Sequence, residues 1–232
     1  MSREPVALSW SGGKDSSLAL ASLRTNPGYE VVALLTSITA GYDRVSIHGV
    51  RRALIEAQAD SLGLSLVEIT VEPQCSNDAY EAAFKDALLR MKHEYPEIQR
   101  IAFGDLYLAD VREYREQLLR KTQYEPIFPI WGSDTRVLAS SFIASGFRAH
   151  LACVDTEQLD PSFAGRTFDE KLLGELPCNV DPCGENGEFH TFVSDGPIFT
   201  KPIAVTVGEI VLRDNRFAFA DLLPEQECTD EY

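Results

Sequence analysis

Leu8-Ser9-Trp10-Ser11-Gly12-Gly13-Lys14-Asp15-Ser16-Ser17 is the stretch on which the reading of this chain turns. The apolar run beginning at Val6 leads into it as a short strand. Lys14–Thr25 follows with helical character and stops at Asn26-Pro27-Gly28. A strand thus passes into a helix through two adjacent glycines, at the first strand–helix turn of the chain. That is where an open α/β sheet binds phosphate. Gly12 and Gly13 let backbone N–H groups approach phosphate oxygens with no Cβ in the way. The helix adds unpaired N–H groups and the positive end of its dipole. Ser11, Ser16 and Ser17 offer hydroxyl donors, and Lys14 offers a full positive charge. The spacing fits neither G-x-x-x-x-G-K-[ST] nor G-x-G-x-x-G, the two commoner phosphate loops.

Outward from the loop, strands and helices alternate. Glu30–Ser37 is an apolar, β-branched run, read as a buried strand. Val50–Leu62 has helical spacing and stops at Gly63, and Leu64–Val71 reads as the third strand. Asp78–His93 reads as a helix, Arg100–Phe103 as a strand closed by Gly104-Asp105, and Val111–Lys121 as a helix. Such alternation predicts a parallel sheet with helices on both faces. After Pro126–Trp131 the composition changes. Asp134–Ser145 reads as a helix and Arg148–Val154 as a strand. Residues 155–187 are rich in Pro, Gly, Asp and Glu. Glu188–Val193 and Ile203–Arg213 then read as strands, and Asp214-Asn215 as a hairpin turn into Arg216–Asp221. The expected organisation is a nucleotide-binding domain at 1–130 and a smaller α/β substrate-binding region at 131–232.

The 232 residues, 44% hydrophobic and 25% charged, supply a core without disulfide staples. No run approaches the ~20 apolar residues of a membrane span, and the N-terminus has no signal-peptide pattern, so a cytoplasmic protein is expected. The five cysteines, odd in number and scattered, read as free thiols. Cys178, Cys183 and His190 make a poor zinc pattern. A net charge of −15 repels nucleic acid and anionic lipid, which argues against tRNA as a substrate. The acidic tail from Glu225 to Tyr232 is expected to be frayed. Phe217 and Phe219 could serve a core or an interface edge, which leaves a homodimer open.

The loop resembles the S-G-G-x-D-S pyrophosphate loop of the N-type ATP pyrophosphatases, enzymes of the adenine-nucleotide α-hydrolase-like (HUP) fold. Three further stretches resemble the diphthine–ammonia ligase family within that superfamily: Gly104-Asp105-Leu106, Pro129-Ile130-Trp131-Gly132, and Gly184-Glu185-Asn186-Gly187-Glu188-Phe189-His190-Thr191. The resemblance covers most of residues 5–200. It implies that a carboxylate attacks the α-phosphate of ATP, that pyrophosphate leaves with Mg²⁺, and that ammonia then displaces AMP to give an amide. The acceptor would be a small-molecule or protein-borne carboxylate. On this reading Ser9, Ser11, Gly12, Gly13, Lys14 and Asp15 hold the nucleotide. Ser16, Ser17, Leu35, Thr36, Gly104 and Asp105 complete its site. Lys14, Glu185, Glu188 and His190 are the catalytic candidates, and Asp15 is the candidate Mg²⁺ ligand. Diphthine-type members carry E-G-G-E-F-E-T, so Asn186 and His190 depart from that pattern. Chains with this variant resemble a bacterial branch linked with cobalamin salvage.

Several residues read two ways. Glu185, Glu188 and His190 either cap a turn, for which Asn186-Gly187 is suited, or face a substrate. Asp105 caps the next segment or meets a ligand in the crevice. Arg51 and Arg52 either meet a phosphate or stay solvated. Trp131 reads as a core aromatic. A sulfur-inserting tRNA enzyme would need a catalytic cysteine, with Cys153 the candidate at a strand end. A module that binds ATP or AMP without turnover is a third reading.

Overall fold

A computed structural model describes residues 3–225. Cys228 and the acidic tail beyond Glu225 lie outside the described residues. The first part of the chain runs β1 (Glu4–Ser9), α1 (Lys14–Thr25), β2 (Tyr29–Thr39), β3 (Arg44–Val45), α2 (Arg52–Leu62) and β4 (Ser65–Val71). It continues through α3 (Asn77–Glu94), β5 (Arg100–Ala102), α4 (Ala109–Leu119) and β6 (Glu125–Ile127). The second part comprises α5 (Thr135–Ala144), β7 (Arg148–Asp155), a 3₁₀ turn at Pro161–Phe163 and α6 (Glu170–Glu175). It ends with β8 (Phe189–Asp195), β9 (Val205–Arg213) and β10 (Phe217–Pro224).

The first sheet is parallel apart from the short β3. β1 lies between β2 and β5, with β4 beyond β2 and β6 beyond β5. The chain leaves β1 towards β2 and later returns to its other side as β5. Strand order therefore reverses at β1, the kind of point beside whose carboxyl end open α/β sheets bind ligands. Successive side chains point to opposite faces. Val6 and Leu8 pack with Leu20 and Leu23 of α1 and with Leu54 and Ile55 of α2. Ala7 faces the other layer, with Phe84 and Leu88 of α3 and Leu118 of α4. Both faces are covered, as the apolar runs of β1 and β2 require. This is the α/β, HUP-like sheet expected from the sequence.

The second sheet is antiparallel, in the order β8-β7-β10-β9. Its Leu151, Phe192 and Ala218 join the α1–α2 side of the core. Burying a side chain such as Phe192 contributes roughly 1.5–3 kcal/mol, so this shared layer fixes β8 against α1. The Asp214-Asn215 turn has φ of 52° and 51°, the left-handed pair that a tight hairpin needs. β3, β6 and α6 are too short for a readable period. β6 carries Pro126, which suits an edge strand.

Candidate active site

The glycine loop leaves β1 at Ser9 and enters α1 at Lys14. Gly12 sits at φ +79°, and a Cβ there would lie 2.5 Å from Ile55 Cδ1. A Cβ on Gly13 would lie 2.9 Å from the Thr191 carbonyl oxygen and 3.2 Å from His48 Cε1. The glycines thus serve two approaches: the turn folds onto α2, and β8 lies directly on the start of α1. Val193 N donates to Gly12 O at 2.9 Å. Lys14 N donates to Thr191 Oγ1 at 3.0 Å. Gln58, fully buried, accepts from Trp10 Nε1 and donates to the carbonyls of Gly12 and Val193. Ser16 and Ser17 hydroxyls both donate to Gly13 O, and Ser11 Oγ accepts from Gly13 N.

Lys14 is buried. Its ammonium donates to both Asp15 carboxylate oxygens at 2.9 Å and to the Cys183 carbonyl, and lies 5.7 Å from the Phe189 ring centroid. Burial opposes the charge, but Asp15 and the neighbouring acids outweigh it and raise the Lys14 pKa. Gly104 lets the end of β5 approach α1: a Cβ there would fall 2.9 Å from the Asp15 carbonyl carbon. Asp105 lies 3.5 Å from Arg115 Nε, and burial raises its pKa against the pull of that guanidinium.

A cavity of about 720 Å³ opens over the carboxyl ends of β1, β2 and β4. Ser9, Ser11, Leu35, His48, Tyr80 and Tyr114 are among the residues that line it. Its size falls within the range of small-molecule sites. Thr36 is buried beside this wall, with its hydroxyl unpartnered among the described residues.

The Asp181–Thr191 segment packs against the loop from the opposite side. Glu185 accepts from Leu106 N at 2.8 Å and from Tyr107 N at 3.4 Å, tying the segment to the chain beyond Asp105. Burial raises its pKa, against those N–H groups. Glu188 is 2% exposed and accepts from Asp181 N, Asn186 N and Asn186 Nδ2. It closes its own turn. His190 packs against His48 with ring centroids 4.6 Å apart and planes tilted by 34°. Burial holds its pKa well below the usual histidine value. The structure therefore brings Lys14, Asp15, Glu185 and His190 around the start of α1. Glu185, Glu188 and His190 lie outside the cavity wall.

Arg51 is held by Asp221, and Arg52 pairs with Glu68 and Glu56. Trp131 is half-buried, edge-on to Phe128 and beneath Arg112. Cys153 is buried, and burial pushes its thiol up to about 12, the reverse of an activated nucleophile.

The geometry joins an N-terminal sheet carrying the loop to a C-terminal sheet that presses on it. Family models divide the chain in a matching way. The diphthamide synthase N-terminal domain matches residues 4–124, and the diphthamide synthase C-terminal domain matches residues 134–220. The chain belongs to the diphthamide synthase family. A human protein named diphthine–ammonia ligase is 30% identical over 229 residues, covering 89% of this chain and 85% of its own. The mouse protein of that name is 31% identical with the same coverage. A fission-yeast protein of that name (Schizosaccharomyces pombe) is 26% identical over 87% of this chain and 36% of its own length.

Three residues of this family member escaped the reading of its sequence. Gln58 looks like an ordinary helix-surface residue until β8 is placed beside it. Asp181 accepts from Cys183 N and from Thr135 Oγ1, so it organises the acidic turn from within. His48 preceded the arginines that drew attention, yet it is the residue that reaches the loop. Its imidazole beside two glycines in space was not visible from a separation along the chain.

Proposed function

We propose that this chain is an ATP-dependent ligase that adenylates a carboxylate, releases pyrophosphate and amidates the acyl adenylate with ammonia. What carries the reading is the cavity over the carboxyl ends of β1, β2 and β4, lined in part by Ser9 and Ser11 of the glycine loop, in a chain whose relatives are named ammonia ligases. Residues 1–130 would hold the nucleotide, and 131–232 would present the acceptor. Ser9, Ser11, Gly12 and Gly13 would hold the phosphates, with Lys14, Asp15, Ser16 and Ser17 of the first turn of α1 supporting the loop from behind. Leu35 and Thr36 would lie along the nucleoside. Gly104 and Asp105 would close the crevice from β5. Such a site acts by positioning and charge stabilisation rather than by a nucleophilic side chain. Glu185 and His190 would set the acceptor side, with Glu188 shaping the turn that carries them. Asn186 and His190 stand where diphthine-type chains carry Gly and Glu, which favours an acceptor other than diphthine.

Mg²⁺ enters this proposal as part of the nucleotide substrate. Among the described residues no group of three or more His, Cys, Asp or Glu side chains could hold a metal ion. Both Asp15 oxygens are engaged by Lys14. A protein-built Mg²⁺ cage does not fit these residues, whereas Mg²⁺ carried on substrate phosphates needs none.

The test is an assay of purified protein with Mg–ATP, ammonium and a panel of carboxylates. AMP and pyrophosphate should appear in step with an amide, and only when both co-substrates are present. Release of ADP and phosphate would overturn the α,β-split. Tight ATP binding without turnover of any carboxylate would move the assignment to a nucleotide sensor.

A further inference from the structure

Lys14, the one full positive charge in the glycine loop, does not reach the cavity wall. Its ammonium is spent on Asp15 and the Cys183 carbonyl, on the side facing the acidic turn. His48 does line the cavity, as do Ser11 and Ser46. Its Cε1 lies 3.2 Å from the position a Gly13 Cβ would take, so the ring rests on the loop backbone. The ring is held there by a pinned turn. Val45 N donates to Val50 O, Gly49 N to Val45 O, and Arg44 Nη1 to Gly49 O. Ile47, just before it, sits at φ +69°, a left-handed conformation that is costly for a β-branched residue. Gly49 is needed because a Cβ there would fall 2.5 Å from Phe219 Cδ1.

The tautomer follows from the partners. His48 Nδ1 is 3.3 Å from the Thr191 carbonyl oxygen, which can only accept. Nδ1 therefore carries the proton in the neutral ring, and Nε2 keeps a lone pair with no partner among the described residues. We infer that His48, rather than Lys14, is the side chain that brings positive charge to the phosphate chain of a nucleotide in this cavity, taking up a proton at Nε2 as the nucleotide binds. This rests on the ATP reading above and adds an ionisable contact to it.

The neighbours of the ring explain why the charge arrives with the ligand. Burial lowers the His48 pKa to about 4, the Thr191 carbonyl opposes that, and Lys14 from α1 adds to it. His190 from β8 packs against it at a tilt and would repel a second charge. Glu72, Asp110 and Arg115 line the same cavity. A polyanion against Nε2 reverses the balance, because an opposite charge within reach favours the protonated ring. His190 does not line the cavity, so the uptake belongs to His48.

The experiment is a histidine-labelled NMR titration of the full chain between pH 5.5 and 8, without and with saturating Mg–ATP. The four histidines are separated by comparison with His48→Gln and His190→Gln spectra. Without nucleotide the His48 Cε1–H signal should stay that of a neutral ring throughout. With Mg–ATP its midpoint should rise from about 4 to between roughly 5 and 7. At pH 6, His48→Gln should bind ATP more weakly, by up to about tenfold for a midpoint near 7, with the gap closing by pH 8. ATP binding that leaves the His48 signal without a titration in this window overturns the inference and leaves the ligase reading standing. Wild-type protein that fails to bind ATP overturns both.

Discussion

The glycine loop at Ser9–Ser17 and the acidic turn at Asp181–Thr191 meet face to face, and they are built by opposite means. The first is shaped by what is missing: without side chains at Gly12 and Gly13, α2 and β8 close in on bare backbone. The second is shaped by side chains folded back on main chain. Glu188 spends both oxygens on N–H groups of its own turn, and Asp181 spends one there and the other on the Thr135 hydroxyl. Glu185 reaches across to Leu106 N instead. A motif of acids can thus contain a clasp and a bridge side by side, and residue type alone does not separate them.

Loss of the clasp should have the largest effect. Glu188→Ala leaves two backbone N–H groups and the Asn186 amide without their acceptor. The chain should lose about 2–4 kcal/mol of stability in urea unfolding. Glu185→Ala should cost about 1 kcal/mol in the same measurement and act mainly on turnover. Equal losses for the two variants would erase the distinction between clasp and bridge. Next in size is Gly12→Ala. Its φ of +79° and the 2.5 Å approach to Ile55 Cδ1 predict a loss of about 1–3 kcal/mol. ATP affinity should fall with it, read by calorimetry on the fraction that remains folded. Thr191→Val removes the oxygen that accepts from Lys14 N at 3.0 Å. Loss of such a helix-start acceptor costs about 1 kcal/mol. A neutral outcome would mean that solvent serves Lys14 N as well as β8 does.

How much of this was legible in the sequence follows the same division. The loop could be read because its demands are local: a strand, two glycines and a helix in direct succession dictate the turn. The parallel sheet could be read because Val6–Leu8 and Glu30–Ser37 are continuous apolar runs, as doubly covered strands must be. The roles within residues 184–191 could not be. Alternation in β8 sends Thr191 and Val193 to the loop, but the partner surface comes from residues far away in the chain. Asn186-Gly187 did announce a turn, and Glu188 proves to be its clasp, while nothing local set Glu185 apart as the bridge. His48 stayed hidden for the same reason, since its neighbours Gly13, Thr191 and His190 come from two other elements.

The smallest expected effect probes the seam between the two regions, where His48 is wedged. In the folded chain this ring takes its proton near pH 4, and in the unfolded chain near 6.5. Between those values the unfolded state binds more protons, so stability falls as pH falls. The contribution is complete above 6.5 and is lost progressively down to 4. From pH 8 to 6 it amounts to roughly 0.8 kcal/mol, and His190, also held low by burial, adds in the same direction. Asp15, Asp105 and Glu185 have raised pKa values and pull the other way as they titrate. Absolute stability curves would mix these contributions. The difference between wild type and His48→Gln, taken from urea midpoints at pH 8 and pH 6, isolates the ring. The variant should lose less stability on acidification than wild type. Identical slopes would place the imidazole in water rather than between the glycine loop and β8, and the seam would have to be redrawn without it.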